Sequence, residues 1–286
     1  MEVIFHEDPA CHWCWAFQPI ETTFLFELGE TLPPRRLMGG LRDHPFPDAS
    51  LGRRQWEPAM EISDMPFEPA IWQRHLLRTT HLACSAVKAV ALGQPSLADR
   101  FLRRLREAYF TECVPIDDLT SILEIARATG VEIARFEDHL ASGRARAFFN
   151  EDRRRASYQG FGFPTIVLRP RSPRAGESEI LLEGLVPYEE ILAVLEELGV
   201  PQTARRRFVD RPADWERLFT IRERLTLAEL RHVTGLDDAQ ILRRLDELGC
   251  AGDGMFFRGP ALFDGIDDSI DAAEMAKPMA AAANLA

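Results

Sequence analysis

The pair Cys11-His12-Trp13-Cys14, one short strand in from the N-terminus, constrains this chain more than any other feature. Glu2-Val3-Ile4-Phe5 reads as a buried strand and Asp8-Pro9-Ala10 breaks it. Trp13 to Leu28 then reads as a helix, with apolar residues at Trp13, Phe17, Ile20, Phe24 and Leu28. A cysteine at the first turn of such a helix meets free N–H groups and the positive end of the dipole, which stabilise its thiolate. A second cysteine one turn later can attack a mixed disulfide and release the partner. The same two residues could be half of a zinc site, but no second closely spaced Cys or His pair supplies the other ligands. Neither a metal nor an organic cofactor is expected.

A net charge of -11 on 286 residues argues against a general nucleic-acid or anionic-membrane binder. No apolar run approaches the roughly 18 residues of a membrane helix. The N-terminus enters a strand directly, so no secretory signal is expected. Five cysteines, only two of them closely spaced, do not make a disulfide framework, and a reducing cytoplasm is the expected compartment.

Further along, Arg35-Arg36-Leu37-Met38 reads as a second strand ending at Gly39-Gly40, where glycines suit a turn or a close backbone approach. Residues 43–69 are proline-rich and read as loop or short helix. Helical patterns follow over Ile71–Thr79, Leu82–Leu92, Leu97–Glu112, Asp118–Thr129 (with Asp117 as its cap), Ile133–Leu140 and Gly143–Ser157. Thr165-Ile166-Val167-Leu168 and Glu179 to Glu183 read as a hairpin with a long loop, and Tyr188 to Leu198 as a closing helix. Residues 200–213 read as a linker. Beyond it, helix, helix-turn-helix and hairpin suggest a winged-helix-like unit over 214–265, with Thr226 and Glu229 as a capping box. The alanine-rich, acidic residues 266–286 read as a flexible tail.

Several pieces, in this order, resemble the DsbA-like thioredoxin-fold family of the cytoplasmic FrnE type. They are Asp8-Pro9-Ala10-Cys11-His12-Trp13-Cys14-Trp15, Gly39-Gly40-Leu41-Arg42, Gly160-Phe161-Gly162-Phe163-Pro164-Thr165 and the helical stretch between. The resemblance covers roughly residues 1–199 and implies an α/β thioredoxin-like domain with an all-helical insertion at about 43–157. It implies that Cys11 is the nucleophile, that Cys14 resolves, and that Pro164 is cis and packs beside them. The backbone of Phe163 would then be free to pair with an extended substrate segment. His12 could give a hydrogen bond or a charge toward the Cys11 sulfur. Trp13 and Trp15 would add apolar area for gripping a partly unfolded chain, with Phe161, Phe163 and Thr165 on the proline-loop side. Periplasmic members usually carry Pro-His between the cysteines, whereas His12 here precedes Trp13. Relatives that act as glutathione transferases or isomerases replace the cysteine pair with a serine, and another branch serves as a protease adaptor.

The remaining chemistry-bearing residues have plainer readings. Cys84, Cys113 and Cys250 read as small core hydrophobes. His75, His81 and the runs Arg153-Arg154-Arg155 and Arg205-Arg206-Arg207 read as solvated. The would-be recognition helix carries Asp237, Asp238, Asp246 and Glu247 against Arg243 and Arg244, which opposes phosphate contact. A protein partner at the C-terminal unit is favoured over nucleic acid; the sequence leaves the oligomeric state open. The expected function is a thiol–disulfide oxidoreductase acting on protein thiols and disulfides. The alternatives are a non-enzymatic adaptor or redox-sensing module, and a glutathione-linked transferase.

Overall fold

Alternation along one strand organises the N-terminal half. A computed structural model describes residues 1–159, 162–170 and 179–260. In β1 (Glu2–Glu7), Val3 and Phe5 join an apolar cluster on one face, while Ile4 meets Leu37 and Val167 on the other. After β1 come α1 (His12–Ala16), α2 (Gln18–Leu28) and β2 (Arg35–Met38). The expected single helix from Trp13 to Leu28 is thus two. Phe17 ends the first and starts the second, because Pro19 at the opening of α2 has no N–H to continue the ladder.

The helical insertion comprises α3 (Ala49–Ser63), α4 (Ile71–Arg74), α5 (His81–Gly93), α6 (Ala98–Thr111), α7 (Leu119–Ala128), α8 (Ile133–Ala141) and α9 (Arg144–Gln159). The proline-rich stretch expected as loop or short helix holds the 15-residue α3 with Pro58 inside it. Its buried stripe of Gly52, Trp56 and Ala59 packs against Trp72, and this burial outweighs poor propensity. Asp118, not Asp117, caps α7, accepting from the Ser121 N–H at 2.9 Å. Asp117 is fully buried and engaged elsewhere: it meets His75 Nε2 at 2.5 Å and accepts from the Arg78 N–H at 2.8 Å. His75 is therefore paired rather than solvated. His81 is half-buried with its ring against Phe149.

The chain then returns through β3 (Thr165–Arg169), β4 (Ile180–Glu183) and α10 (Tyr188–Glu197). The sheet order is β2-β1-β3-β4, with β1 parallel to β2 and antiparallel to β3. This is a thioredoxin-like α/β fold. Phe24 and Leu28 of α2 and Tyr188, Ile191 and Leu195 of α10 cover one face of the sheet.

The C-terminal unit consists of α11 (Pro212–Ile221), β5 (Arg224–Leu225), α12 (Leu227–Thr234), α13 (Asp238–Glu247), β6 (Ala251–Gly252) and β7 (Phe257–Arg258). Its three strands pair in the order β5-β7-β6, and Thr226 with Glu229 forms a capping box on α12. The stretch read as a linker is packed down. Arg205 bonds Glu27, the Arg206 N–H donates to the Glu27 carbonyl at 2.9 Å, and Phe208 lies against Phe26. Arg205 and Arg206 are consequently ion-paired, not merely solvated. Phe161, Gly160, the hairpin loop at 171–178 and the tail lie outside the described residues. Among the described residues no helix is long and apolar enough to cross a membrane.

Candidate dithiol site

Cys11 caps α1, and its Sγ accepts the Cys14 N–H at 3.2 Å. On its other side, the Cys11 thiol donates to the Phe163 carbonyl at 3.5 Å. The Phe163–Pro164 peptide bond is cis. The two sulfur-bearing residues are nearly closed off, with Cys11 at 2% and Cys14 at 1% exposure. The motif and the proline loop, distant in sequence, are therefore in contact.

The turn before Cys11 is fixed by Asp8, read in the sequence only as a strand breaker. Its buried carboxylate accepts from Ala10 N–H at 2.8 Å, Leu41 N–H at 2.7 Å, the Thr80 hydroxyl at 2.8 Å and the Cys84 thiol at 3.3 Å. Burial raises the Asp8 pKa despite these donors. Cys84 is thus a hydrogen-bond donor as well as a core residue. The glycines anticipated at 39–40 have a defined task. A Cβ on Gly39 would fall 1.9 Å from Cζ of Phe163, so the bare backbone gives the Phe163 ring its seat. Gly40 sits at φ +71, where side chains are disfavoured.

Behind Cys14 stands a polar wall that sequence reasoning missed. Arg106 of α6 donates to Glu7 of β1 at 2.6 Å and lies 3.8 Å from Glu21 of α2. Arg36 bridges Glu7 and Glu21 at 2.7 Å each and also pairs with Asp99. Arg222, from the C-terminal unit, reaches Glu21 at 2.5 Å and Asp99 as well. Gln18 Nε2 donates to the Cys14 carbonyl at 3.2 Å and to Glu21 at 2.7 Å, while its Oε1 accepts from Arg103. Burial pushes the Cys14 thiol well above its ordinary pKa, as do the adjacent Cys11 sulfur and Glu7; Arg106 pulls the other way. Burial opposes ionisation of Glu21, but Arg36, Arg222 and Arg106 outweigh it and hold its carboxyl low. The signal available in sequence was weak. Glu7 ends an apolar strand, and Arg103 and Arg106 lie three apart on a helix whose second face reads as solvent-facing.

Other expected site residues divide. His12 and Trp13 are half-buried beside the dithiol, with ring centroids 5.4 Å apart. Burial takes the His12 pKa down to about 4, so it is neutral at pH 7 and supplies no charge to Cys11. Phe163 is half-buried on Gly39, and Pro164 is buried. Trp15 is fully buried in the core of the insertion. It stacks on Phe110 at 5.7 Å, and its indole N–H donates to the Pro66 carbonyl at 2.8 Å, so it is not a substrate contact. Thr165 is also buried; its hydroxyl donates to the Gly162 carbonyl at 2.8 Å and stabilises the loop from within. No group of three metal-ligating side chains converges among the described residues.

The chain is 25% identical over 208 residues to the ClpXP adapter protein SpxH of Halalkalibacterium halodurans, covering 69% of this chain and 67% of that protein. It is 26% identical over 205 residues to SpxH of Shouchella clausii, covering 69% and 67%. Among solved structures, the cytosolic disulfide reductase DsbM from Pseudomonas aeruginosa superposes with a TM-score of 0.58 at 21% identity, over 70% of this chain and all of that one. The probable DsbA oxidoreductase SCO1869 from Streptomyces coelicolor gives 0.56 at 16% identity, over 73% and 94%. A family profile described as thioredoxin matches residues 5–193, which include the dithiol, the proline loop and the whole insertion, and on that match the chain belongs to the thioredoxin family.

Proposed function

We propose that this protein is a thiol–disulfide oxidoreductase that exchanges disulfides with protein substrates in the cytoplasm. The observation that carries the reading is the position of the Cys11 sulfur, between the Cys14 N–H and the Phe163 carbonyl, with a second thiol one turn away. The Cys11 thiolate attacks one sulfur of a substrate disulfide. A Cys11–substrate bond forms, and the other substrate sulfur leaves as a thiolate. The Cys14 thiolate then attacks Cys11, forming the Cys11–Cys14 disulfide and releasing the second substrate sulfur, which takes up a proton. Two electrons pass to the substrate, and a cellular thiol reductant of the glutathione or dithiol class restores the pair. In the oxidising direction the same steps run backward. An arriving extended chain competes for the Phe163 carbonyl that now accepts the Cys11 proton, which frees the sulfur as the substrate docks. Trp13, Phe163 and the 47%-exposed Leu41 supply apolar surface around the entry. His12 acts as a neutral neighbour.

The test is a pair of variants. Cys11→Ser should abolish reduction of a model protein disulfide, and Cys14→Ser should retain proteins as mixed disulfides on Cys11. A Cys11→Ser chain with parental turnover would overturn the reading.

A second reading, a protein adaptor, is favoured by the SpxH relatives. We read the C-terminal unit as winged-helix-like and as the docking element in that case. Client binding unchanged in Cys11→Ser, with no turnover in the parent, would select the adaptor.

A further inference from the structure

The buried wall behind Cys14 does not belong to the thioredoxin half alone. Its carboxylates are Glu7, Glu21 and, at the rim, Asp99; its cations are Arg36, Arg106 and Arg222. The charges balance only when Arg222 is counted, and Arg222 comes from the turn after α11, about 200 residues from the dithiol in sequence. Glu21 divides its two oxygens. Oε1 is taken by Arg36 and Arg222, while Oε2 faces Gln18 at 2.7 Å and Arg106 at 3.8 Å. Arg106 in turn makes its close bond to Glu7.

We propose that Arg222 is a positioning residue for the Cys14 step: by holding Glu21 on its far oxygen it keeps Glu21 from closing on Arg106, whose charge then remains available to the Cys14 sulfur. The C-terminal unit is, on this account, part of the redox site's electrostatics. The proposal rests on Cys11 and Cys14 acting as an exchanging dithiol.

The physical case is one of charge in a dry place. The side chains of Arg222, Glu21, Glu7 and Arg106 are each 1–2% exposed, so little water screens them. Removing Arg222 leaves one uncompensated negative charge in the wall. Glu21, left with Arg36 as its single cation on Oε1, is freer to turn Oε2 toward Arg106 at 3.8 Å. Both changes disfavour a thiolate on Cys14, in the same direction that Glu7 already acts and against Arg106. The step affected is attack by Cys14 on the Cys11 mixed disulfide; the Cys11 sulfur is held instead by two backbone groups, the Cys14 N–H and the Phe163 carbonyl. The unit stays docked without Arg222, because Glu229 of α12 still bonds Arg103 twice at 2.9 Å and accepts the Thr22 hydroxyl.

Ellman's reagent separates the two steps without any physiological substrate. The full chain carries Cys113→Ser and Cys250→Ser so that the half-buried thiols stay silent. The Cys11 thiolate attacks the reagent and releases one thionitrobenzoate; Cys14 then displaces the second and closes the disulfide. The first phase depends on reagent concentration and the second does not. Arg222→Gln should leave the first phase within about twofold and slow the second about threefold to tenfold, for each unit by which the Cys14 thiol rises. The pH profile of the second phase should move upward with it. Adding Glu21→Gln to Arg222→Gln removes the stray charge and should restore the second phase. A folded Arg222→Gln chain with a parental second phase overturns the proposal. So does a slowed phase that Glu21→Gln fails to restore, since that loss would be structural. A parent with no second phase at all would instead sink the exchanging dithiol itself.

Discussion

The front and back of the dithiol are built from different materials. In front, the Cys11 sulfur is held by two backbone groups, the Cys14 N–H and the Phe163 carbonyl, from two short motifs. At the back, Cys14 faces side chains from β1, α2, β2, α6 and the C-terminal unit, joined by charge. Backbone contacts survive many substitutions as long as the loop keeps its path. A buried ion network loses its charge balance when any one member is lost, because the surviving charges then outnumber their counter-charges. The front should therefore respond to changes in space and the back to changes in charge.

The strongest way to break this contrast is Arg106→Met. The change keeps apolar volume but leaves Glu7 buried with Arg36 as its remaining close partner. A loss of about 3–5 kcal/mol in urea denaturation is expected, the usual result of removing one partner from a buried pair. A loss below about 1 kcal/mol would mean that water or a rearranged Arg36 compensates, and that the back is no more charge-sensitive than the front.

Acid provides a second test, on the sheet that carries both regions. His6 of β1 is buried, and burial takes its pKa down to about 4, with Glu179 opposing and Arg169 adding to the shift. The unfolded chain takes up a proton on His6 near pH 6.5, whereas the folded chain does so only near 4. Between those values the unfolded state binds more protons, so stability falls as the pH drops through this window and is fully present above 6.5. The contribution is about 2–3 kcal/mol at the acid end. His12 adds to it with the same sign. In urea titrations from pH 7 to 5, His6→Asn should flatten the decline. A parent whose midpoint is level across that range would contradict the assigned shifts.

These two regions also differ in how far the sequence exposes them. The front was readable: Cys11, Cys14, Gly39, Phe163 and Pro164 sit in short motifs whose backbone demands are local. Trp15 was misread because its neighbour Trp13 shares the motif. Only the later course of the chain places Phe110 and Pro66 over the Trp15 ring. Thr165 was misread for a related reason, since its hydroxyl turns back into its own loop. The back was unreadable because Arg103 and Arg106 look like the wet face of α6 until Glu229 of the C-terminal unit meets Arg103 and Glu7 and Glu21 meet Arg106. The burial of Arg222 and Glu229 depends on the same coverage, seen from the other side. Periodicity reports which face is apolar. It does not report that a polar face will be buried against equally polar partners.

A smaller effect tests the front through space. Gly39→Ala would set a methyl 1.9 Å from the Phe163 ring and so push a half-buried side chain off its seat. Because that ring can swing outward, the stability cost should be near the low end of overpacking, about 1 kcal/mol. The exchange rate should fall more than stability does, on the order of tenfold, because the Phe163 carbonyl moves with the loop. Equal losses in both would show that Gly39 serves packing alone.

The smallest expected effect separates the two tryptophans. Trp15 is fixed on four sides, by Phe110, the Pro66 carbonyl, the Arg103 guanidinium 4.7 Å over its ring and the turn of α1 itself. Trp13 is half-buried, and its one ring neighbour among the described residues is His12. Its exposed part gains little from folding, so Trp13→Ala should cost no more than about 1 kcal/mol of stability. The dithiol chemistry with Ellman's reagent should be unchanged, because the Cys11 sulfur is held by the Cys14 N–H and the Phe163 carbonyl. Its effect should appear only with large partners: KM for a reduced, unfolded protein should rise about threefold to tenfold while kcat holds, the pattern left by removing uniform binding. If KM stays level, the apolar entry does not include Trp13, and the grip on a substrate chain must come from Phe163 and Leu41.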